Sequence, residues 1–146
     1  IYSDFLEGAK EGLKTVKGLV PVLVGLMTAV GVLRASGFLD FLGEILGKAT
    51  SAAGIPPQIV PLGIVRLFSS SAATGLLLDI FKEFGTDSPV GLMAGLMLSS
   101  TESVFYCMSV YFSSVGIQKT RYTLTGALVA TLAGMAASVW IVTCVM

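Results

Sequence analysis

Two runs of hydroxyl side chains, each beside one charge, carry the chemistry this sequence can offer. Arg66 precedes Ser69, Ser70 and Ser71, with Thr74 one turn further on; Ser99, Ser100 and Thr101 precede Glu102 and Ser103. A guanidinium among hydroxyls suits an anion or an oxygen-rich solute, and a carboxylate among hydroxyls suits a cation or a hydroxyl donor. Covalent chemistry has no support. Histidine is absent, which rules out a Ser–His pair, and a Ser–Lys pair would have to bring Lys48 or Lys82 to the serine run. There is no metal-ligand spacing and no glycine-rich phosphate loop with its lysine. The reading is therefore a binding site with no catalytic residue, no metal and no cofactor.

The surroundings of the two runs decide what they can do. The chain has 146 residues, of which 54% are hydrophobic and 12% charged, with a mean hydropathy of +0.88. A soluble domain has about 25% charged residues, so the deficit points to a membrane protein, with membrane lipid as one partner. The formal net charge is zero, which leaves no basic footprint for nucleic acid. Cys107 and Cys144 both fall in apolar stretches and read as small buried hydrophobes, with nothing to indicate a disulfide. The length suits one membrane domain over 1–146, and the start at Ile1 without Met suggests a missing N-terminal segment.

Along the chain, residues 1–16 place apolar side chains at helical spacing opposite Asp4, Glu7, Lys10, Glu11 and Lys14, as an amphipathic helix at a membrane surface does. Gly18–Leu33 carries no charge and sits between Lys17 and Arg34, which can extend a slightly short span by snorkelling. Residues 38–50 form a second amphipathic element with Asp40, Glu44 and Lys48 on one face, and Gly54-Ile55-Pro56-Pro57 ends it. The limbs Pro57–Phe68 and Ala72–Phe84 flank the first hydroxyl run. Each is roughly half a bilayer long at about 1.5 Å per residue, which suits a re-entrant hairpin. Asp79 and Glu83 are expected where that hairpin returns to water.

Thr86-Asp87-Ser88-Pro89 starts the next limb, with Asp87 or Ser88 as its cap and Pro89 in the first turn, and the limb carries Gly91, Gly95 and Ser99 at spacing four. The second break is expected at Ser99–Glu102, followed by an aromatic limb in which Tyr106, Tyr111 and Phe112 are candidates for lining a cavity. Tyr122–Met146 is long enough to span, with a small-residue stripe at Gly126, Ala130, Gly134 and Ser138.

Hydroxyl runs weaken a helix by competing for its backbone hydrogen bonds. Irregular backbone at membrane depth is tolerated only where protein or a wet cavity covers it. The expectation is one polar site between two facing breaks. The competing readings are that Ser and Thr merely bond across helices, and that Arg66 and Glu102 form a structural ion pair stapling the breaks together.

Several stretches carry a family resemblance: FLEGAKEGL (5–13), GVLRASGFLDFL (31–42), GIPPQIVPLGIVRLFSSSAATG (54–75), LSSTESVFY (98–106) and YFSSVGIQKTRYTL (111–124). In this order they resemble the spore maturation protein B family, bacterial membrane proteins of the gate, or nucleoside-recognition, class. The sequence departs from the family's pattern near the arginine, with Leu67, Ser70 and Ala73 where a proline and glycines are common. The resemblance implies an all-α membrane bundle with an interfacial helix at 38–50, a re-entrant hairpin at 57–84, a broken transmembrane helix at 88–116 and a spanning helix at 122–146. It further implies half of an inverted-repeat transporter fold, a bacterial cytoplasmic membrane location and a role in spore-core dehydration. The partner implied is a second gate subunit, spore maturation protein A or a second copy of this chain, and the ligand is an unidentified small polar solute. The rival function is a non-transporting scaffold for spore-envelope assembly.

Overall fold

The computed structural model describes residues 2–50 and 54–146 of the chain, and the side chains of Lys48 and Ala49 lie outside the described set. The described elements are seven α-helices and one 3₁₀ turn, with no strand among the described residues. They are α1 (Tyr2–Ala35), α2 (Phe38–Thr50), the 3₁₀ turn Pro57–Ile59, α3 (Val60–Phe68), α4 (Ser70–Phe84), α5 (Pro89–Ser100), α6 (Val104–Ser114) and α7 (Thr123–Val145). Three segments are long and apolar enough to cross a membrane: α1, the stretch Pro89–Ser114 that joins α5 to α6, and α7.

The amphipathic stretch and the apolar stretch at the start are one helix, where two elements were expected. A change from charged to apolar composition does not end a helix. Glu7 with Lys10 and Glu11 with Lys14 support the charged half at spacing three, and Gly18 alone is too weak a breaker. At about 1.5 Å per residue a helix of this length outruns a ~30 Å hydrocarbon core. Its carboxyl-terminal half packs on α4 at Gly75. A side chain there would stand 3.3 Å from Val30 Cγ2 and 3.4 Å from Leu26 Cβ.

Gly37, at φ +73°, turns the chain into α2. The second helix settles on the 3₁₀ turn through Gly43 and Gly47, where an added side chain would stand 3.2 Å from Pro57 at either position. Phe38, Phe41 and Ile45 remain exposed along its other face. The interior is built from α3, α4, α5 and α7, with Ile59, Leu62, Ala73, Leu76, Met93, Ala94, Met97 and Val139 buried. α5 packs on α4 and α7, while α6 packs on α3 and α7.

Both hydroxyl runs interrupt helices, over fewer residues than expected. The first interruption is Ser69 alone, in extended backbone at φ −146° and ψ 114°. Ser70 and Ser71 already belong to the first turn of α4. The second covers residues 101–103, because α5 continues through Ser99 and Ser100. Serine is well accommodated at a helix end, where free backbone groups are available to it.

Asp79 and Glu83 do not simply return to water. Asp79 is buried and its Oδ2 accepts from Arg34 Nε at 2.6 Å. Arg34 also pairs with Glu83. Arg34 is thus tied to α4, where a snorkelling side chain was expected. The pairing neutralises the Asp79 carboxylate within the otherwise apolar run 76–81 of α4.

Candidate functional site

The two breaks meet. Arg66, in the last turn of α3, is 6% exposed, and its guanidinium reaches across to the end of α5. Nη2 donates to the carbonyl oxygens of Leu98, at 3.1 Å, and of Thr101. Nε donates to Thr101 Oγ1 at 3.3 Å, and Nη1 donates to Ser70 Oγ at 2.8 Å. A guanidinium has five N–H donors, so most of this one is spent inside the protein. Its main partners are the carbonyls that the end of α5 leaves free, and a cation there also complements the helix dipole.

The expected ion pair with Glu102 is a secondary contact, at 3.6 Å from Nη2, and the Glu102 side chain is 75% exposed. The charge that matters most to Arg66 is therefore partial and belongs to the backbone.

The other ends also touch. Ser70 Oγ and Ser103 Oγ lie 3.0 Å apart, joining the amino-terminal ends of α4 and α6. Ser69 Oγ caps α4 by accepting from Ala72 N at 3.2 Å. Ser103 makes no such bond to α6, its hydroxyl being engaged with Ser70. Phe68 and Phe105 stack beside the junction with ring centroids 4.8 Å apart.

Of the residues predicted from sequence, Arg66, Ser70, Thr101, Ser103 and, at the edge, Glu102 come together. Ser100 turns to α7, where its Oγ is 3.1 Å from Ser138 Oγ. Ser99 donates to its own Leu96 carbonyl at 3.0 Å and is exposed. Thr74 donates to Ser70 O at 2.9 Å, and Ser71 is exposed. Ser69 acts as a helix cap.

Two cavities adjoin this region. One, of about 390 Å³, lies between the second break and α7 and is lined by Ser99, Thr101, Glu102, Cys107 and Thr131 among others. The other, of about 580 Å³, lies between α6 and residues 116–120. Phe105 and Phe112 line it; Tyr106 and Tyr111 are exposed and line neither. Thr131, Ser138 and Cys107 did not stand out as polar neighbours of the site in the sequence. Thr131 and Ser138 show only as small residues in an apolar run, and Cys107 only as a hydrophobe. Both cysteines are free thiols. No group of three or more His, Cys, Asp or Glu among the described residues is placed to hold a metal.

Three segments long and apolar enough to cross a membrane, packed around two meeting helix breaks, define an all-helical membrane protein. The family model for Gate, described as nucleoside recognition, matches residues 16–118. The chain is also 43% identical to spore maturation protein B of Bacillus subtilis (strain 168) over 142 residues, which is 97% of this chain and 80% of that protein. The chain belongs to the Gate family, in its spore maturation protein B branch. No solved structure gives a significant match.

Proposed function

We propose that this protein is a spore maturation membrane protein that serves as one subunit of a small-solute transporter. Its polar site is the junction of the two breaks, with Arg66, Ser69–Ser71, Thr74 and Ser99–Ser103 as the residues nearest the solute. The observation that carries this reading is the contact of Ser70 with Ser103 beside Arg66: two interrupted helices place hydroxyls and free helix ends at one point. In this reading 57–84 is a re-entrant hairpin, 88–116 is one broken span, and 1–146 forms a single domain in the bacterial cytoplasmic membrane.

Exposed polar groups at the breaks, Ser71, Ser99 and Glu102 among them, need a cover at membrane depth. A second gate subunit, either spore maturation protein A or another copy of this chain, supplies it. Flux of a labelled nucleoside, amino acid and polyol into liposomes containing this chain with a spore maturation protein A partner tests the reading. Uptake of one of them that falls at least tenfold in a folded Ser70→Ala/Ser103→Ala variant is expected; no uptake of any probe by a reconstituted, folded pair counts against it.

The saturation of the Arg66 donors favours a second reading, in which the junction is purely structural and the protein is a scaffold for spore-envelope assembly. Variants that keep their fold, lose the junction hydroxyls and still support spore maturation would select it.

A further inference from the structure

The junction has two sides, and they differ in electrical character. On one side the Arg66 guanidinium is buried and committed to α5 and Ser70. On the other, the cavity of about 390 Å³ between the second break and α7 is bordered by the Glu102 carboxylate. α5, α6 and α7 contain no Asp, Glu, Lys or Arg. Glu102 is therefore the single charged residue lining this cavity among the described residues.

The hydroxyls along the same wall have already used their protons. Ser99 Oγ donates to Leu96 O, Thr101 Oγ1 donates to Met97 O at 2.6 Å, and Thr131 Oγ1 donates to Ala127 O at 2.8 Å. A hydroxyl that donates to its own helix presents only lone pairs outward. Thr101 Oγ1 also accepts from Arg66 Nε, so the acceptors left to the cavity are Ser99 Oγ, Thr131 Oγ1 and the carboxylate. Two features here attract anions. One is the Arg66 guanidinium, 3.6 Å from the Glu102 carboxylate but itself buried and committed to α5 and Ser70; the other is the amino-terminal end of α6, which begins two residues after Glu102. Glu102, with its side chain 75% exposed, is the charge that faces the cavity.

We infer that the cavity on the α7 side of the second break is the solute-facing half of the site, and that it takes a neutral or cationic solute rich in hydrogen-bond donors while rejecting anions. This rests on the proposed polar site and adds which side of it is open and to which charge. Glu102 is the residue that sets the selectivity, and Thr131 and the exposed Ser99 are acceptors for the solute's donors.

Cys107 lines the same cavity and reports on it directly. In the purified full chain carrying Cys144→Ser, the rates at which a cationic and an anionic methanethiosulfonate modify Cys107 are measured, each divided by its rate on 2-mercaptoethanol. The cationic reagent is expected to be at least about fivefold faster, on the order of what one carboxylate does to reagents of opposite charge about 8 Å from it in water. Glu102→Gln should bring the ratio near one. Should that variant fail to fold, high salt applied to the Cys144→Ser chain must compress the ratio instead. Equal normalised rates, a faster anion, or no modification by either reagent overturns the inference. The meeting of the breaks and the flux assay do not depend on that outcome, so failure here is distinguishable from failure of the transport reading.

Discussion

Ser70 Oγ and Ser103 Oγ stand 3.0 Å apart across a sequence separation of 33 residues, so the amino-terminal ends of α4 and α6 share one hydrogen bond. Replacing both by cysteine in a chain carrying Cys107→Ser and Cys144→Ser should place two thiols within disulfide reach, since bridged Cβ atoms lie about 3.5–4.5 Å apart. Mild oxidation is expected to protect both thiols from alkylation, read as the mass of the alkylated chain, while each single cysteine stays labelled. Full labelling of both thiols after oxidation would mean that the breaks do not meet.

Arg66 and Glu102 should respond very differently to neutralisation. Arg66→Ala leaves the Leu98 and Thr101 carbonyls without their donor inside the protein, and a cost of about 1–3 kcal/mol for each buried acceptor left unsatisfied is expected. Arg66→Lys keeps the charge but not the fork that reaches two carbonyls and two hydroxyls, and should fall in between. Glu102→Gln removes an exposed, long contact and should cost less than about 1 kcal/mol. Unfolding in detergent measures all three. Equal losses for Arg66→Ala and Glu102→Gln would restore the ion-pair staple as the main tie.

This contrast shows what the sequence could and could not disclose. Proline and glycine punctuation at residues 54–57 and the Thr86–Pro89 start signal placed the starts of the first limb and of α5, the spacing of charges in 38–50 placed α2, and the uncharged run after Arg121 placed α7. The charge next to the second serine run suggested Glu102 as the partner of Arg66, because a carboxylate is visible as a letter. The carbonyls of Leu98 and Thr101 are not: a free helix end becomes an acceptor only once the helix has stopped. The link from Arg34 to Asp79 spans 45 residues and needed tertiary structure. The sequence signal that could have found it was one aspartate inside the apolar run 76–81.

The contact of α7 with α5 uses the small residues Gly134 and Ser138 but not Gly126. A side chain at Gly134 would stand 3.2 Å from Ser100 O, whereas nothing lies within 4 Å of the corresponding position at Gly126. Gly134→Leu must push α7 away from the second break, at an expected cost of about 1–3 kcal/mol. Gly126→Leu should change stability by no more than about 0.5 kcal/mol, as surface changes usually do. Thermal unfolding of the two variants in the same detergent checks the difference, and similar losses would show that the whole small-residue stripe is a packing surface.

Asp79 holds α1 against α4 from inside the protein, and Glu83 assists from its edge. The Asp79 carboxylate accepts from both Nε and Nη2 of Arg34 at 2.6 Å, with the Asp79 side chain 11% exposed against 43% for Glu83. Asp79→Ala should therefore cost about 3 kcal/mol, near the low end for a buried pair because Arg34 is 30% exposed and keeps some water. Glu83→Gln should cost less than about 1 kcal/mol. Arg34→Leu should destabilise as Asp79→Ala does, and the double change Arg34→Leu/Asp79→Ala should recover part of the loss by leaving no buried charge without its partner, Glu83 being exposed. Additive losses in the double variant, measured by unfolding in detergent, would show that the two side chains stabilise the helices independently.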